Sequence, residues 1–150
     1  MSCILTIRGR NFDIDAFIKT TKLKPYKKSY KGQPRVNTKP DGEKLTHSLI
    51  AIETSRADFD NLEKQISDTI RYLKKNKEKL AHIPSTKGID NAWLDFGINL
   101  RIDGKKVMVQ SDKFPSRLLQ LAGNLGLDIE LSIYPVNLEK ILGKRSQQKK

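Results

Sequence analysis

The chain has 150 residues, a length that fits one domain with a sizeable hydrophobic core and that needs no disulfide or metal to fold. The single cysteine, Cys3, has no partner within the chain and stands in an apolar alternation, where a small buried side chain is expected. No window reaches the roughly 18 apolar residues of a membrane-spanning helix, and the N-terminus has too short an apolar run for a signal peptide. We therefore expect a soluble, cytoplasmic protein without membrane association.

The net charge of +12 is concentrated in two segments. The segment from Lys19 to Lys39 holds eight Lys or Arg residues and no Asp or Glu, and the C-terminal segment from Lys140 adds five more basic residues. The rest of the chain is close to neutral. A polyanionic partner would therefore contact one of these basic segments, because the rest of the protein carries little net charge.

Hydrophobic periodicity predicts the order strand, helix, strand, helix, hairpin, helix, strand. The ranges of these elements are residues 3–9, 11–21, 45–54, 55–84, 91–110, 112–126 and 127–135. A capping-box pattern of Ser55 and Asp58 begins the long second helix, and Asp103-Gly104 predicts a type I′ turn in the hairpin. Residues 25–42 contain three prolines and two glycines and predict a basic loop, with a short edge strand near Tyr30 or Val36.

This order predicts an α+β fold in which three helices pack on one face of a largely antiparallel sheet of about five strands. A ferredoxin-like arrangement of two β-α-β units also fits the order. We expect a single domain over residues 1–138 that includes the basic loop at 25–42. A basic, disordered C-terminal tail is expected over residues 139–150.

The sequence contains no recognisable catalytic or cofactor motif. His47 and His82 have no cysteine or carboxylate at metal-ligand spacing, and glycine-rich nucleotide-binding motifs and a serine elbow are missing. The LDFG sequence at Leu94 to Gly97 matches a kinase metal-binding signature, but the other parts of a kinase are missing and the chain is too short for one. We expect no cofactor and no metal, and the residues favour a non-catalytic protein while leaving an enzymatic role open.

Two groups of residues are candidate sites. Tyrosines interspersed with cations are typical of grooves that bind single-stranded nucleic acid, whereas the alternative is a solvated loop whose lysines keep the sheet edge from pairing with other chains. The candidates for polyanion or partner binding are Lys24, Tyr26, Lys27, Lys28, Tyr30, Lys31 and Arg35. The candidates for a pocket on the sheet are Trp93, Asp95 and Gly97, and the glycine predicts a bulge or a close approach by a ligand or backbone.

Several segments resemble an uncharacterised bacterial family. They include "LTIRGRNFDIDAFIKTTKLKP", "WLDFGINLRI" and "QSDKFPSRLLQLAGNLGLDIELSIYP". Members of that family pass from a β-α opening through an "ADFDDLE"-like helix to an "LDFGI" strand, and a "QSD-FPPELL-LAG-LG" helix leads into an "ELSIYP" strand. The resemblance covers residues 3–135 and implies a fold but no activity, because the family is a domain of unknown function. This sequence departs from the pattern in its lysine-rich loop and basic tail.

Our leading hypothesis is a non-catalytic bacterial interaction protein whose partner is another protein, with a toxin that it neutralises as one case. Bacterial immunity proteins supply a fold-level analogy, although many that neutralise nucleases are acidic. The alternative is nonspecific binding of nucleic acid or another polyanion through the basic loop and tail, which salt would weaken. A third hypothesis is a small-molecule enzyme with its site between Trp93, Asp95 and the loop. The sequence does not indicate an oligomeric state.

Overall fold

A computed structural model describes residues 2–136 of the chain. Within this range the strands are β1 (Cys3–Gly9), β2 (Lys27–Ser29), β3 (Ser48–Ser55), β4 (Asn91–Asn99) and β5 (Asp128–Tyr134). The helices are α1 (Ile14–Thr21), α2 (Leu62–Lys75), the single turn α3 (Lys77–Leu80) and α4 (Ser116–Asn124). The predicted α+β class, the sheet of about five strands and the three longer helices are confirmed, although not every predicted strand is present. The predicted tail over residues 139–150 lies outside the described residues.

The five strands form one sheet in the order β2-β3-β1-β4-β5. β1 pairs antiparallel with β3 and β4, and β2 pairs antiparallel with β3. The β1-α1-β2 unit therefore spans β3, and the β3-α2-β4 unit spans β1, which is the interleaving of two split β-α-β units in a ferredoxin-like fold. β5 extends this arrangement as a fifth strand, parallel to β4 and connected to it through α4.

The long helix begins later than the sequence predicts. Asn61 caps α2, because its side-chain Oδ1 accepts the Lys64 N–H at 3.0 Å. Ser55 is the last residue of β3, and its hydroxyl donates to Asp68 at 3.0 Å instead of capping a helix. The predicted capping box of Ser55 and Asp58 is therefore wrong, and the residues between β3 and α2 form a loop.

The predicted hairpin after β4 is also wrong, because the structure describes no strand between Asn99 and Asp128. Both edges of β4 are already paired, one with β1 and the other with β5, so no position beside it is left for a returning strand. A turn is present, with Gly104 at a φ of 72°, but Asp103 lacks the positive φ that the predicted type I′ turn needs at both central residues. The Asp103 carboxylate accepts the N–H groups of Lys105, Lys106 and Val107, which lowers the pKa of Asp103 and satisfies the backbone locally.

The hydrophobic core lies between one face of the sheet and the helices. Alternate residues of the central strands, including Leu5, Ile50 and Leu94, point into it and are almost completely buried. Every helix adds side chains to the same cluster: Ile14 and Phe17 from α1, Ile66 and Leu73 from α2, Leu80 from α3, and Leu118 and Ala122 from α4. The prediction that the helices pack on one face is therefore confirmed. No helix in the described range is both long and apolar enough to cross a membrane.

The position of Leu94 makes a direct test of this core. Leu94 is 0% exposed, whereas Leu119 on the solvent side of α4 is 49% exposed. We expect Leu94→Ala to lower the free energy of unfolding by about 2–5 kcal/mol, because it leaves a cavity between the sheet and the helices. Leu119→Ala should change it by about 0.5 kcal/mol at most. Chemical denaturation measures both, and equal losses would contradict the proposed position of the core.

Candidate functional site

The face of the sheet opposite the helices carries partly exposed side chains, and we call it the open face. Directly paired residues on neighbouring strands point to the same side, so the strand register defines three rows across it. The rows are Lys27-Ala51-Thr6-Trp93-Asp128, Ser29-Leu49-Arg8-Asn91 and Glu53-Ile4-Asp95-Glu130. Within residues 2–136, no helix packs on these side chains.

Trp93 and Arg8 lie at the centre of the open face. The guanidinium carbon of Arg8 is 5.6 Å from the centre of the Trp93 ring, which is a cation-π distance. Arg8 also donates from Nε to the side-chain oxygen of Asn91 at 3.3 Å. These two contacts hold the arginine over the ring. A depression of about 320 Å³ lies beside them and is lined by Arg8, Asn91, Trp93, Asp128, Ile129 and Glu130.

The three residues predicted to form a pocket on the sheet lie in a line on the open face but in different surroundings. Trp93 borders the depression described above. The Asp95 carboxylate accepts a hydrogen bond from the Ser132 hydroxyl at 2.7 Å, across the β4-β5 pair. Gly97 is buried, and Phe59 covers it. The structure therefore brings Trp93 and Asp95 to one surface but not into one pocket with Gly97.

An aromatic ring of the same chain packs closely on Gly97. A Cβ at this position would lie 3.0 Å from Cε1 of Phe59. The Phe59 ring in turn stacks on Tyr134 of β5, with centroids 5.2 Å apart and planes inclined by 9°. The loop between β3 and α2 thus closes one end of the open face. The group that approaches Gly97 is therefore a side chain of the same chain, whereas the sequence predicted a bulge or an approach by a ligand or backbone.

The alternation of β2 separates the predicted basic candidates onto two sides of the sheet. Lys27 pairs with Ala51 and points to the open face, whereas Lys28 points to the helix side, 4.0 Å from the Asp15 carboxylate of α1. The Tyr30 hydroxyl donates to the same carboxylate at 3.0 Å, and this hydrogen bond raises the pKa of Tyr30. Lys28 and Tyr30 therefore serve as contacts between the sheet edge and α1.

The other basic candidates differ in the charges around them. Arg35 forms an exposed ion pair with Glu43 at 3.0 Å. Tyr26 is exposed, and partial burial together with the charge of Glu53 raises its pKa. Lys24 and Lys31 are exposed and form no ion pair within the described residues. The seven candidates therefore do not line one groove.

A second depression is lined by basic residues that lie far apart in the sequence. Its volume is about 340 Å³, and its basic lining residues are Arg8, Lys27, Arg35, Lys44 and His47, with Glu43 as the acidic one. We call it the basic depression. The segment between β2 and β3 contributes most of these residues, and β1 supplies Arg8. Sequence analysis missed Arg8, Lys44 and His47, and the only signal for Arg8 was its outward position in the alternation of β1.

The Cys3 thiol and the potential metal ligands are the remaining groups that could take part in chemistry. Burial raises the pKa of the Cys3 thiol to about 11, so the thiolate that would be needed for nucleophilic chemistry is scarce at neutral pH. Residues 2–136 hold no group of three or more His, Cys, Asp or Glu side chains that could bind a metal ion. The candidate binding features of the open face are the Arg8-Trp93 pair and the basic depression next to it.

The contact between Gly97 and Phe59 predicts a nonadditive pair of substitutions. We expect Gly97→Ala to lower the free energy of unfolding by about 1–3 kcal/mol, because the added methyl group displaces the Phe59 ring. In a Phe59→Ala background the same substitution should cost almost nothing, because the ring is gone. Denaturant unfolding of the four proteins measures the coupling. A cost of Gly97→Ala that is the same in both backgrounds would show that another contact requires the glycine.

Comparison with known proteins identifies the family. Residues 1–136 match the model of a domain of unknown function, DUF4279. Searches of curated proteins and of solved structures gave no match. The chain therefore belongs to the DUF4279 family, in agreement with the resemblance noted in its sequence.

Proposed function

We propose that this DUF4279 chain is a non-catalytic bacterial interaction protein that acts in the cytoplasm and binds another protein through the open face. The observation that carries the proposal is the one-sided placement of the helices. All of them pack on the same side of the sheet, so within the described residues the other side keeps a broad surface of mixed polar, aliphatic and aromatic side chains.

The Arg8-Trp93 pair supports a protein partner because tryptophan and arginine are enriched among the residues that dominate binding energy at protein interfaces. The contact with the ring and the hydrogen bond to Asn91 restrict Arg8 before any partner arrives. Restriction of a long side chain in advance reduces the conformational entropy that is lost on binding. The pair is therefore a suitable anchor at the centre of an interface.

The charges on the open face favour a protein over a nucleic acid as the partner of the whole surface. Acidic residues lie on the β4-β5 side at Asp95, Asp128 and Glu130 and on β3 at Glu53, whereas Arg8 and Lys27 lie towards β2. A phosphate backbone that crossed this face would meet the carboxylates, and like charges in contact are unfavourable. A folded protein can present both signs of charge in a matching pattern. Toxin neutralisation is one use of such a surface, supported only by the fold-level analogy.

Arginine substitutions on the two sides of the sheet test this proposal. We expect the wild-type chain and Arg71→Ala to retain a common partner from a cytosolic extract of the source bacterium, and Arg8→Ala and Trp93→Ala to lose it. Arg71 is the matched control because it lies exposed on α2, in an ion pair with Asp68. With the purified partner, each open-face substitution should weaken binding by at least about 2 kcal/mol, or about 30-fold.

Quantitative mass spectrometry of the retained proteins and calorimetry with the purified partner give the readouts. If all four chains retain the same proteins, the open face is not the binding surface. If no protein is retained and the chain turns over substrates in a broad hydrolase screen, the non-catalytic proposal itself is wrong.

A second candidate function is binding of nucleic acid or another polyanion, and the basic depression is the observation that favours it. Arg8, Lys27 and Lys44 line it together, and the segment between β2 and β3 borders it. Several cations around one concavity attract phosphate groups. This form of binding is local, because the acidic side of the open face limits how far a polyanion can extend.

Two adjacent lysines separate this function from general electrostatic attraction. Lys27→Glu changes a residue of the basic depression, whereas Lys28→Glu makes the same charge change on the helix side. We expect Lys27→Glu to weaken binding to a single-stranded DNA oligonucleotide at low salt and to reduce the slope of affinity against salt by about 1. Lys28→Glu should leave that slope unchanged. Fluorescence anisotropy over a salt series measures both, and equal effects or no wild-type binding would exclude the basic depression as the site.

A further inference from the structure

The two edges of the sheet differ in how well they are protected from pairing with other chains. β2 is three residues long and carries two lysines, which are features that discourage edge-to-edge pairing. β5 is seven residues long, contains neither lysine nor proline, and pairs only with β4 within the described residues. Its outer edge is therefore the one that can accept another strand.

The hydrogen bonds of β5 determine which backbone groups face outward. The Tyr134 carbonyl accepts the Leu100 N–H at 2.7 Å, so the backbone groups of Tyr134 point towards β4. Successive residues of a strand direct these groups to opposite sides. The N–H and C=O groups of Ile129, Leu131 and Ile133 therefore point away from the sheet.

We propose that two copies of the chain form a homodimer by antiparallel pairing of their β5 strands around a two-fold axis at Leu131. In this register Leu131 faces Leu131 of the second copy, and Ile129 faces Ile133. These are the residues with outward backbone groups, so each facing pair exchanges two hydrogen bonds. Their side chains lie on the helix side and continue the apolar layer from one copy into the next.

The polar side chains of β5 agree with the same register. Glu130 faces Ser132 of the second copy, and Asp128 faces Tyr134, whose hydroxyl group can donate a hydrogen bond to the carboxylate. The whole length of β5 from Asp128 to Tyr134 is paired. No two like charges are directly opposite each other.

Other registers lose one of these features. A shift by one residue sets the apolar face of one strand against the polar face of the other. A shift of the axis to Glu130 places two carboxylates directly opposite, which is destabilising. A shift to Ser132 sets Ile129 against Pro135, which has no N–H to donate. The register centred on Leu131 is therefore the one that the sequence of β5 favours.

Exposed apolar side chains next to this edge provide further contact area. A stable dimer usually buries about 1,200–2,000 Å² in total, which is more than two paired strand edges supply. Ile133 is 50% exposed on the helix side of β5, and Tyr134 is 41% exposed on its open-face side. Both lie on the edge strand itself, where the second copy would cover part of their exposed surface.

The oligomeric state of the full-length chain tests the proposal. We expect sedimentation equilibrium to show a dimer for the wild type and for Val36→Glu, and a monomer for Ile133→Glu over the same concentrations. Val36 is the matched control because it is also 50% exposed but lies in the basic segment far from β5 in sequence. Ile133→Glu places a charge against Ile129 of the second copy and should weaken dimerisation at least about 10-fold. Circular dichroism confirms that each variant is folded.

A cysteine at the two-fold axis tests the register. Paired residues that exchange hydrogen bonds have Cα atoms about 5.5 Å apart, a distance that a disulfide can bridge. We expect Leu131→Cys to form a covalent dimer under mild oxidation, seen on a gel without reducing agent. The control Ser67→Cys, exposed on α2, should stay monomeric on the same gel. Native Cys3 is buried and does not interfere. A monomeric wild type at all concentrations would overturn the proposal. A dimer without the Leu131→Cys cross-link, or one that a folded Ile133→Glu leaves unchanged, would overturn it as well.

Discussion

The alternation of side chains along β1 is the constraint on which the remaining structure depends. β1 is the central strand and pairs on both edges, so its side chains can only point to one face or the other. Cys3, Leu5 and Ile7 are fully buried beneath the helices. Ile4, Thr6 and Arg8 consequently reach the open face. The same register that builds the core therefore places the one arginine that contacts Trp93, and the stability of the fold and the geometry of the surface have a common origin.

Small residues give the open face its shape. Thr6, Ala51 and Gly97 are buried between larger neighbours, although no helix covers them. Large side chains therefore stand beside low positions, with Phe59 stacked on Tyr134 at one end and the segment between β2 and β3 at the other. A partner of matching shape could exclude water from the Arg8-Trp93 pair, and exclusion of water strengthens electrostatic contacts. This shape is more useful for binding than a flat sheet of equal area.

Local periodicity predicted the strands and helices whose own side-chain pattern determines their type. It failed where pairing with a strand distant in the sequence determines the structure. The outward positions of Trp93 and Asp95 follow from alternation in β4, and the helix periods of Phe17 and Leu73 are equally clear in the sequence. The hairpin after Asp103 was wrong because β5, about 30 residues later in the chain, occupies the edge that a returning strand would need. Phe59 fits the helical spacing of α2 but crosses to the open face. Lys27 and Lys28 lie on opposite faces because of the register of the edge strand β2, and this register cannot be read from the composition of the segment.

The proposed dimer would change the shape of the open face, although the dimer contact and the Arg8-Trp93 pair involve different residues. Pairing of the β5 edges would join the two open faces into one continuous sheet surface. Asp128 and Glu130 of both copies would then lie near its centre, and the basic depressions would lie at its two outer ends. A protein bound across the centre would need basic residues there, whereas a polyanion would be confined to either end. The oligomeric state therefore determines which of the two candidate partners can use the whole surface and which can use only a part of it.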